Sequence, residues 1–151
     1  MSRNIVSARF TRPSDTTAYA SGDLVANSTT AGSVVPLSLS VAPGSLQIRR
    51  VRIVTSSTSV TNASFRVHLY TASPTAANGD NAAWSTSKVA NYLGSVDVTV
   101  DKAFTDGAYG GATTEINCST AGTIYALIEA RGAYTPTSAG TFTVTLETDR
   151  D

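Results

Sequence analysis

Apolar and polar residues alternate with a period of two along most of this chain, the signature of half-buried β-strands. Leu37, Leu39 and Val41 alternate with Ser38 and Ser40. Phe65, Val67 and Leu69 alternate with Arg66, His68 and Tyr70, and Phe142, Val144 and Leu146 alternate with threonines. The period predicts strands over 3–11, 34–41, 64–71, 92–100, 123–131 and 141–148, with short ones at Leu24-Val25 and about Ile116 and Cys118. The longest predicted strand, 46–56, changes frame at Arg49-Arg50: Leu46 and Ile48 fall on one face, Val51 and Ile53 on the other. A one-residue bulge there restores a single apolar face; otherwise both faces are partly covered. On 123–131, Tyr125 and Leu127 oppose the inward set Ile124, Ala126 and Ile128, which suggests cover on both sides.

Turn chemistry separates the strands at Pro13-Ser14-Asp15, Ser21-Gly22-Asp23 and Pro43-Gly44, and Gly107 to Gly111 reads as a mobile loop tip. Residues 72–91 break the β pattern with Ser73-Pro74, Asn78-Gly79-Asp80 and six alanines. Such a long connection is unusual in a compact domain and often functional. Within it, residues 82–90 are compatible with a short helix around Trp84 and Val89. One-sided antiparallel strands must bury their apolar faces against a second sheet or close into a barrel. The expectation is an all-β, antiparallel, jelly-roll-like β-sandwich of eight or nine strands with one long loop. It forms a single domain over 1–151, with residues 1–20 available as an extended N-terminal arm.

Composition narrows the function classes. Eleven Lys and Arg balance eleven Asp and Glu, and charged residues make up 15% of the 151. A sequence-independent nucleic-acid binder needs a cationic surplus, so nucleic acid is not the expected partner. Serine (19) and threonine (23) take over the solvating role. The single Cys118 makes no intrachain disulfide, so a packed core must supply the stability. The N-terminus lacks the apolar run of a secretory signal, and no stretch is long and apolar enough for a membrane span. The triplets at Asn27, Asn62 and Asn117 match the glycosylation pattern by chance in so Ser/Thr-rich a chain.

Catalytic groups are scarce. His68 is the one histidine, and it falls on the polar face of a regular strand, with no G-x-S-x-G elbow in the chain. The expectation is a surface histidine. An enzyme would need His68 in a cleft beside a carboxylate and a hydroxyl. One His and one Cys do not make a zinc site, and Asn78-Gly79-Asp80-Asn81 lacks the bidentate Glu of a calcium loop. Glu115, Glu129 and Glu147 fall on different strands, which argues against a facing pair for glycoside hydrolysis. Gly107 to Gly111 lies in no phosphate-loop context. The expectation is a non-enzyme without cofactor or metal.

Binding residues are better represented. Nine of the eleven cations are arginine, clustered as Arg3, Arg9 and Arg12 and as Arg49, Arg50 and Arg52. Arginine suits fixed, bidentate pairing with carboxylates, and Tyr, Trp and Arg anchor protein contacts. The candidate contact residues are Arg3, Arg9, Arg12, Tyr19, Trp84 and Tyr92, drawn from the N-terminal segment and the long loop. A carbohydrate-binding or receptor-binding module is the alternative, favoured if Trp84, Tyr92 and Tyr109 line one groove.

The segment from Ser2 to Ser28, with Phe65-Arg-Val-His-Leu-Tyr-Thr-Ala-Ser-Pro74 and Asn78-Gly-Asp-Asn-Ala82, resembles the head decoration, or cement, proteins of tailed bacteriophages. The resemblance implies a β-sandwich on the capsid exterior, made in the host cytoplasm. Its partners would be the major capsid protein and itself, as a dimer or trimer. Its role would be to stabilise the head against the pressure of packaged DNA.

Overall fold

The computed structural model describes residues 2–150. Ten strands form: β1 (Ser2–Thr11), β2 (Leu24–Val25), β3 (Leu37–Ser40), β4 (Gly44–Thr55), β5 (Ser64–Tyr70), β6 (Tyr92–Thr99), β7 (Lys102–Ala103), β8 (Ala108–Thr120), β9 (Thr123–Ala130) and β10 (Thr141–Arg150). They make two five-stranded sheets. Sheet I runs β1-β10-β4-β8-β7. Sheet II runs β2-β9-β5-β6, with β3 also paired to β9. Every pairing is antiparallel. The expected β-sandwich is therefore present.

The core lies between the sheets, where each strand sends its apolar alternation. Ile48, Val51, Ile53, Phe142, Val144 and Leu146 from sheet I meet Phe65, Val67, Leu69, Ile124 and Ile128 from sheet II. Phe65 stands edge-on to both Phe142 (centroids 5.3 Å) and Tyr134 (5.2 Å), a preferred aromatic geometry. The frame change at Arg49-Arg50 is a bulge. Thr148 pairs with Ile48 and Glu147 with Arg50, leaving Arg49 as the extra residue against β10. Ile48 and Val51 thereby both point into the core.

Three expectations are corrected. Gly107 to Gly111 is no mobile tip; most of it is the start of β8, which is longer than predicted. A Cβ on Gly110 would lie 2.1 Å from the Thr99 carbonyl oxygen, so glycine serves close approach of backbones there. The helix over 82–90 does not form. Trp84 N–H donates to the Gly22 carbonyl (2.8 Å) and Ser87 N–H to the Thr75 carbonyl (3.0 Å), and only a 3₁₀ turn at Val89–Asn91 remains. These long-range bonds outweigh the helix propensity of the alanines. Third, residues 2–11 are no free arm but the edge strand β1, registered against β10 from Ser2↔Arg150 to Thr11↔Thr141.

The long connection after β5 folds back on itself as a flap across the outer face of sheet II. Its arms are joined by an Ala76↔Thr86 bridge, and an Asp23↔Ala83 bridge ties it to the segment before β2. Beneath it, Leu24, Ala26, Ala76 and Leu127 form a second apolar cluster, flanked by Val34 and Trp84. This explains the two-sided cover of β9. Among the described residues, the outer face of sheet I carries no such flap.

Candidate functional site

The side chains singled out in the sequence separate into three groups. Arg12 and Tyr19 are buried, 2% and 1% exposed, so the structure withdraws both from the surface as contact residues. They meet Asp80 at the tip of the flap. The Arg12 Nε donates to the Tyr19 hydroxyl (2.5 Å), and that hydroxyl donates to Asp80 Oδ1 (2.6 Å). Asp80 also accepts from the Ala26 N–H (2.8 Å) and from Arg12 (3.3 Å). The remaining Arg12 donor reaches the carbonyls of Asp15 and Thr137. Burial and the neighbouring carboxylate push the Tyr19 hydroxyl far above its ordinary range, so it stays protonated and donates. The cluster joins the end of β1, the 13–20 segment, the flap and the 131–140 loop. It needs three chain segments far apart in sequence, so no local signal reveals it.

His68, Trp84 and Tyr92 assemble on the outer face of sheet II. His68 does point outward as its alternation predicts, but the flap covers it and it is 4% exposed, not a surface histidine. Its Nε2 lies 2.7 Å from Glu129 Oε1 and its Nδ1 2.9 Å from the Tyr92 hydroxyl. Trp84 stacks on the ring at 3.8 Å. Arg131 donates to the other Glu129 oxygen (2.8 Å). Burial holds His68 below its ordinary pKa, opposed by its bond to Glu129. In the neutral ring, Nε2–H donates to Glu129 and Nδ1 accepts from Tyr92. His68 therefore has a carboxylate and a hydroxyl beside it. The hydroxyl is phenolic, and Trp84 stacks on the imidazole. Two surface hollows, of about 710 and 430 Å³, have no lining from His68.

The third group lies on the bare outer face of sheet I, where strand alternation places Arg3 and Arg9 beside Arg49, Arg50 and Arg52. Cross-strand rows run Ile5–Glu147–Arg50–Thr113 and Ser7–Thr145–Arg52–Gly111, with Arg9–Thr143–Val54–Tyr109 at one end. Glu147 is shared by Arg3 (3.5 Å), Arg52 (3.3 Å) and Arg50 (3.9 Å). Asp149 takes Arg3 (2.5 Å) and Arg49 (3.8 Å), and the Arg3 guanidinium holds its carboxyl below the usual range. Arg50 also donates to the Tyr109 hydroxyl (2.8 Å). Arg9 has no ion-pair partner among the described residues. Five arginines thus face Glu115, Glu147 and Asp149, an excess of two positive charges on a chain of zero net charge. Tyr109 lies on this face and Trp84 and Tyr92 on the opposite one, so the three do not share a groove.

No family model and no curated protein matches the chain. Solved structures of similar outline exist. A chain of the capsid of Helicobacter pylori bacteriophage KHP30 aligns at 8% identity and TM-score 0.39, covering 98% of this chain and 87% of that one. The vertex protein P5 of PRD1 aligns at 13% identity and TM-score 0.40, with 95% and 94% covered. The globular domain of zebrafish complement 1qA aligns at 9% identity and TM-score 0.37, with 99% and 100% covered. Three proteins so different share this outline, and the likeness is too slight to assign a role.

Proposed function

We propose that this is a structural virion protein that binds the outer surface of a phage capsid through the outer face of sheet I and stabilises the head. The observation that carries the reading is the state of that face. It is the uncovered one of the two outer sheet faces, and four of its five guanidiniums, those of Arg3, Arg49, Arg50 and Arg52, are part-exposed and held in place by Glu147 and Asp149. Side chains fixed before a partner arrives lose less entropy on binding, and guanidinium forks match carboxylates on an opposing protein. The sequence resemblance of residues 2–28, 65–74 and 78–82 to head decoration proteins points to the same class. The partner is then the major capsid protein, with an acidic patch as the complement.

Purified protein mixed with undecorated phage heads tests this. Ordered extra density on the capsid lattice is the expected result. Arg50→Glu with Arg52→Glu is expected to lower occupancy by roughly tenfold or more, since arginine is enriched among the interface residues whose loss costs over about 1 kcal/mol and the reversal adds repulsion from an acidic partner. Heads that stay bare at saturating protein refute the reading. The carbohydrate-binding alternative gains no support, because its three aromatic residues lie on opposite faces.

A further inference from the structure

We propose that the free edge of β1 pairs antiparallel with β1 of a second copy, around a two-fold axis at Ser7, joining two copies of sheet I into one continuous sheet. This goes beyond the capsid reading and does not depend on it.

An exposed, long, regular strand edge offers unpaired N–H and C=O groups to another chain, and proteins normally blunt such edges. The other edges here are blunted or broken. β7 is two residues long, β8 beyond it is bulged at Thr114-Glu115 opposite Arg49, β2 and β3 are short, and β6 has a register shift opposite Leu69/Tyr70 with Gly94 at φ +123°. β1 differs. It runs from Ser2 to Thr11 in unbroken register with β10, contains no proline, and pairs with no other strand among the described residues. Apolar surface is exposed along it: Ile5 is 60% exposed, and Val35, across the gap between the sheets, is 65% exposed. A hollow of about 430 Å³ follows the same edge, lined by Ala8, Phe10, Val35 and Pro36 among others.

The sequence of β1 selects the register. Arg3, Ile5, Ser7, Arg9 and Thr11 share the outer face, so a two-fold pairing must place odd positions opposite odd ones. An axis at Val6 sets Arg3 opposite Arg9, and like charges directly opposed are destabilising. An axis at Ile5 aligns only residues 2–8. An axis at Ser7 aligns 3–11, with Arg3 opposite Thr11 and Ile5 opposite Arg9. On the inner face it sets Val6 opposite Ala8. Ile5 is itself paired to Glu147 on β10. Arg9 of the second copy therefore lies two strand spacings, about 9.6 Å, from Glu147, within the joint reach of the two side chains. The pairing supplies a carboxylate to the outer-face arginine that lacks one.

Sedimentation of the full chain and disulfide trapping test this without any capsid present. The expected results are a mass double that of the 15.6 kDa chain and a weakened dimer in Arg9→Glu. In a Cys118→Ser background, Ser7→Cys places two thiols opposite each other, with Cα atoms about 4.5–5.5 Å apart, inside the roughly 4.4–6.8 Å that a disulfide spans. Thr113→Cys, on the same face but on β8, stays uncrosslinked. A monomer at every concentration overturns the proposal. A dimer in which the Ser7→Cys variant does not crosslink overturns the edge and the axis. If Ser7→Cys loses its β-sheet dichroism, Arg9→Glu decides: a dimer of unchanged affinity overturns the register. Failure on phage heads with the dimer intact counts against the capsid reading alone.

Discussion

Replacing Asp80 with alanine tests whether the flap is held by the Arg12–Tyr19–Asp80 cluster or by its apolar underside. The Asp80 and Arg12 side chains are both fully buried. Removing the carboxylate leaves the guanidinium without its buried charge partner, with only the part-exposed Asp15 remaining, and the Ala26 N–H without an acceptor. Breaking one half of a buried pair costs about 3–5 kcal/mol. Arg12 keeps the Thr137 and Asp15 carbonyls, which argues for the lower end, about 3 kcal/mol. Asp15→Ala is the control. That carboxylate also touches Arg12 at 3.3 Å but is 36% exposed, so its loss is expected to cost under about 1 kcal/mol.

The assay is urea unfolding followed by two probes. Trp84 is the chain's one tryptophan and sits in the flap, so its fluorescence reports the flap; far-UV dichroism reports the sheets. Asp80→Ala is expected to lower the midpoint seen by both probes, and the fluorescence change is expected to come first, because the cluster holds the flap tip. A loss of about 3 kcal/mol corresponds to about 6–12 °C in melting temperature for a chain of this size. Asp80→Asn keeps the shape and an acceptor oxygen but not the charge, and falls between. If Asp80→Ala costs no more than Asp15→Ala, the cluster does not anchor the flap and the reasoning fails.

Two further outcomes follow from the same geometry. Because His68 is held below its ordinary pKa of 6.5, the unfolded chain binds its proton first as pH falls. The stability His68 contributes is complete above about pH 6.5 and is lost as pH drops through its folded value, with Glu129, Asp97, Arg66 and Tyr92 the charged or titratable groups facing it. Melting temperatures from about pH 7.5 to 5 are expected to fall more steeply for the native chain than for His68→Gln; parallel curves refute this. Gly110→Ala drives a Cβ into the Thr99 carbonyl and is expected to cost about 1–3 kcal/mol or more in urea unfolding, whereas Gly32→Ala meets nothing within 4 Å and stays within about 0.5 kcal/mol.

Strands with one large apolar face were legible from the sequence. Phe65, Val67 and Leu69 identify β5, and the frame change at Arg49 locates the bulge, because a single extra residue is the economical way to keep Ile48 and Val51 on one side. The first half of β8 was not legible, since its inward residues are Ala108, Gly110 and Ala112, small because backbone approaches closely there. Hydrophobic periodicity cannot register a strand whose core positions must be small. The interior of the candidate site was hidden for another reason. Arg12 and Tyr19 look like surface residues until Asp80, 68 and 61 positions away, is brought to them by the flap. His68 shows the same limit: alternation gives the direction of its side chain, and only the tertiary fold supplies the cover.

The two outer faces therefore make opposite demands on the same residue types. On sheet II the aromatic and charged groups are already engaged: Trp84 stacks on His68, Tyr92 bonds to it, and Arg131 neutralises Glu129. Substitutions there are expected to register in stability, because each one uncovers or unpairs a buried group. On sheet I five arginines share three carboxylates, and the half-exposed guanidiniums lie over Glu147 and Asp149, which are 13% and 8% exposed. Neutral replacements, Arg50→Gln with Arg52→Gln, leave Glu147 paired to Arg3 and are expected to cost less stability than the sheet II substitutions while any partner that reads the face is lost. A variant series that moved both faces' mutants along one line of stability against binding would remove the distinction, and with it the reason for placing the partner on sheet I.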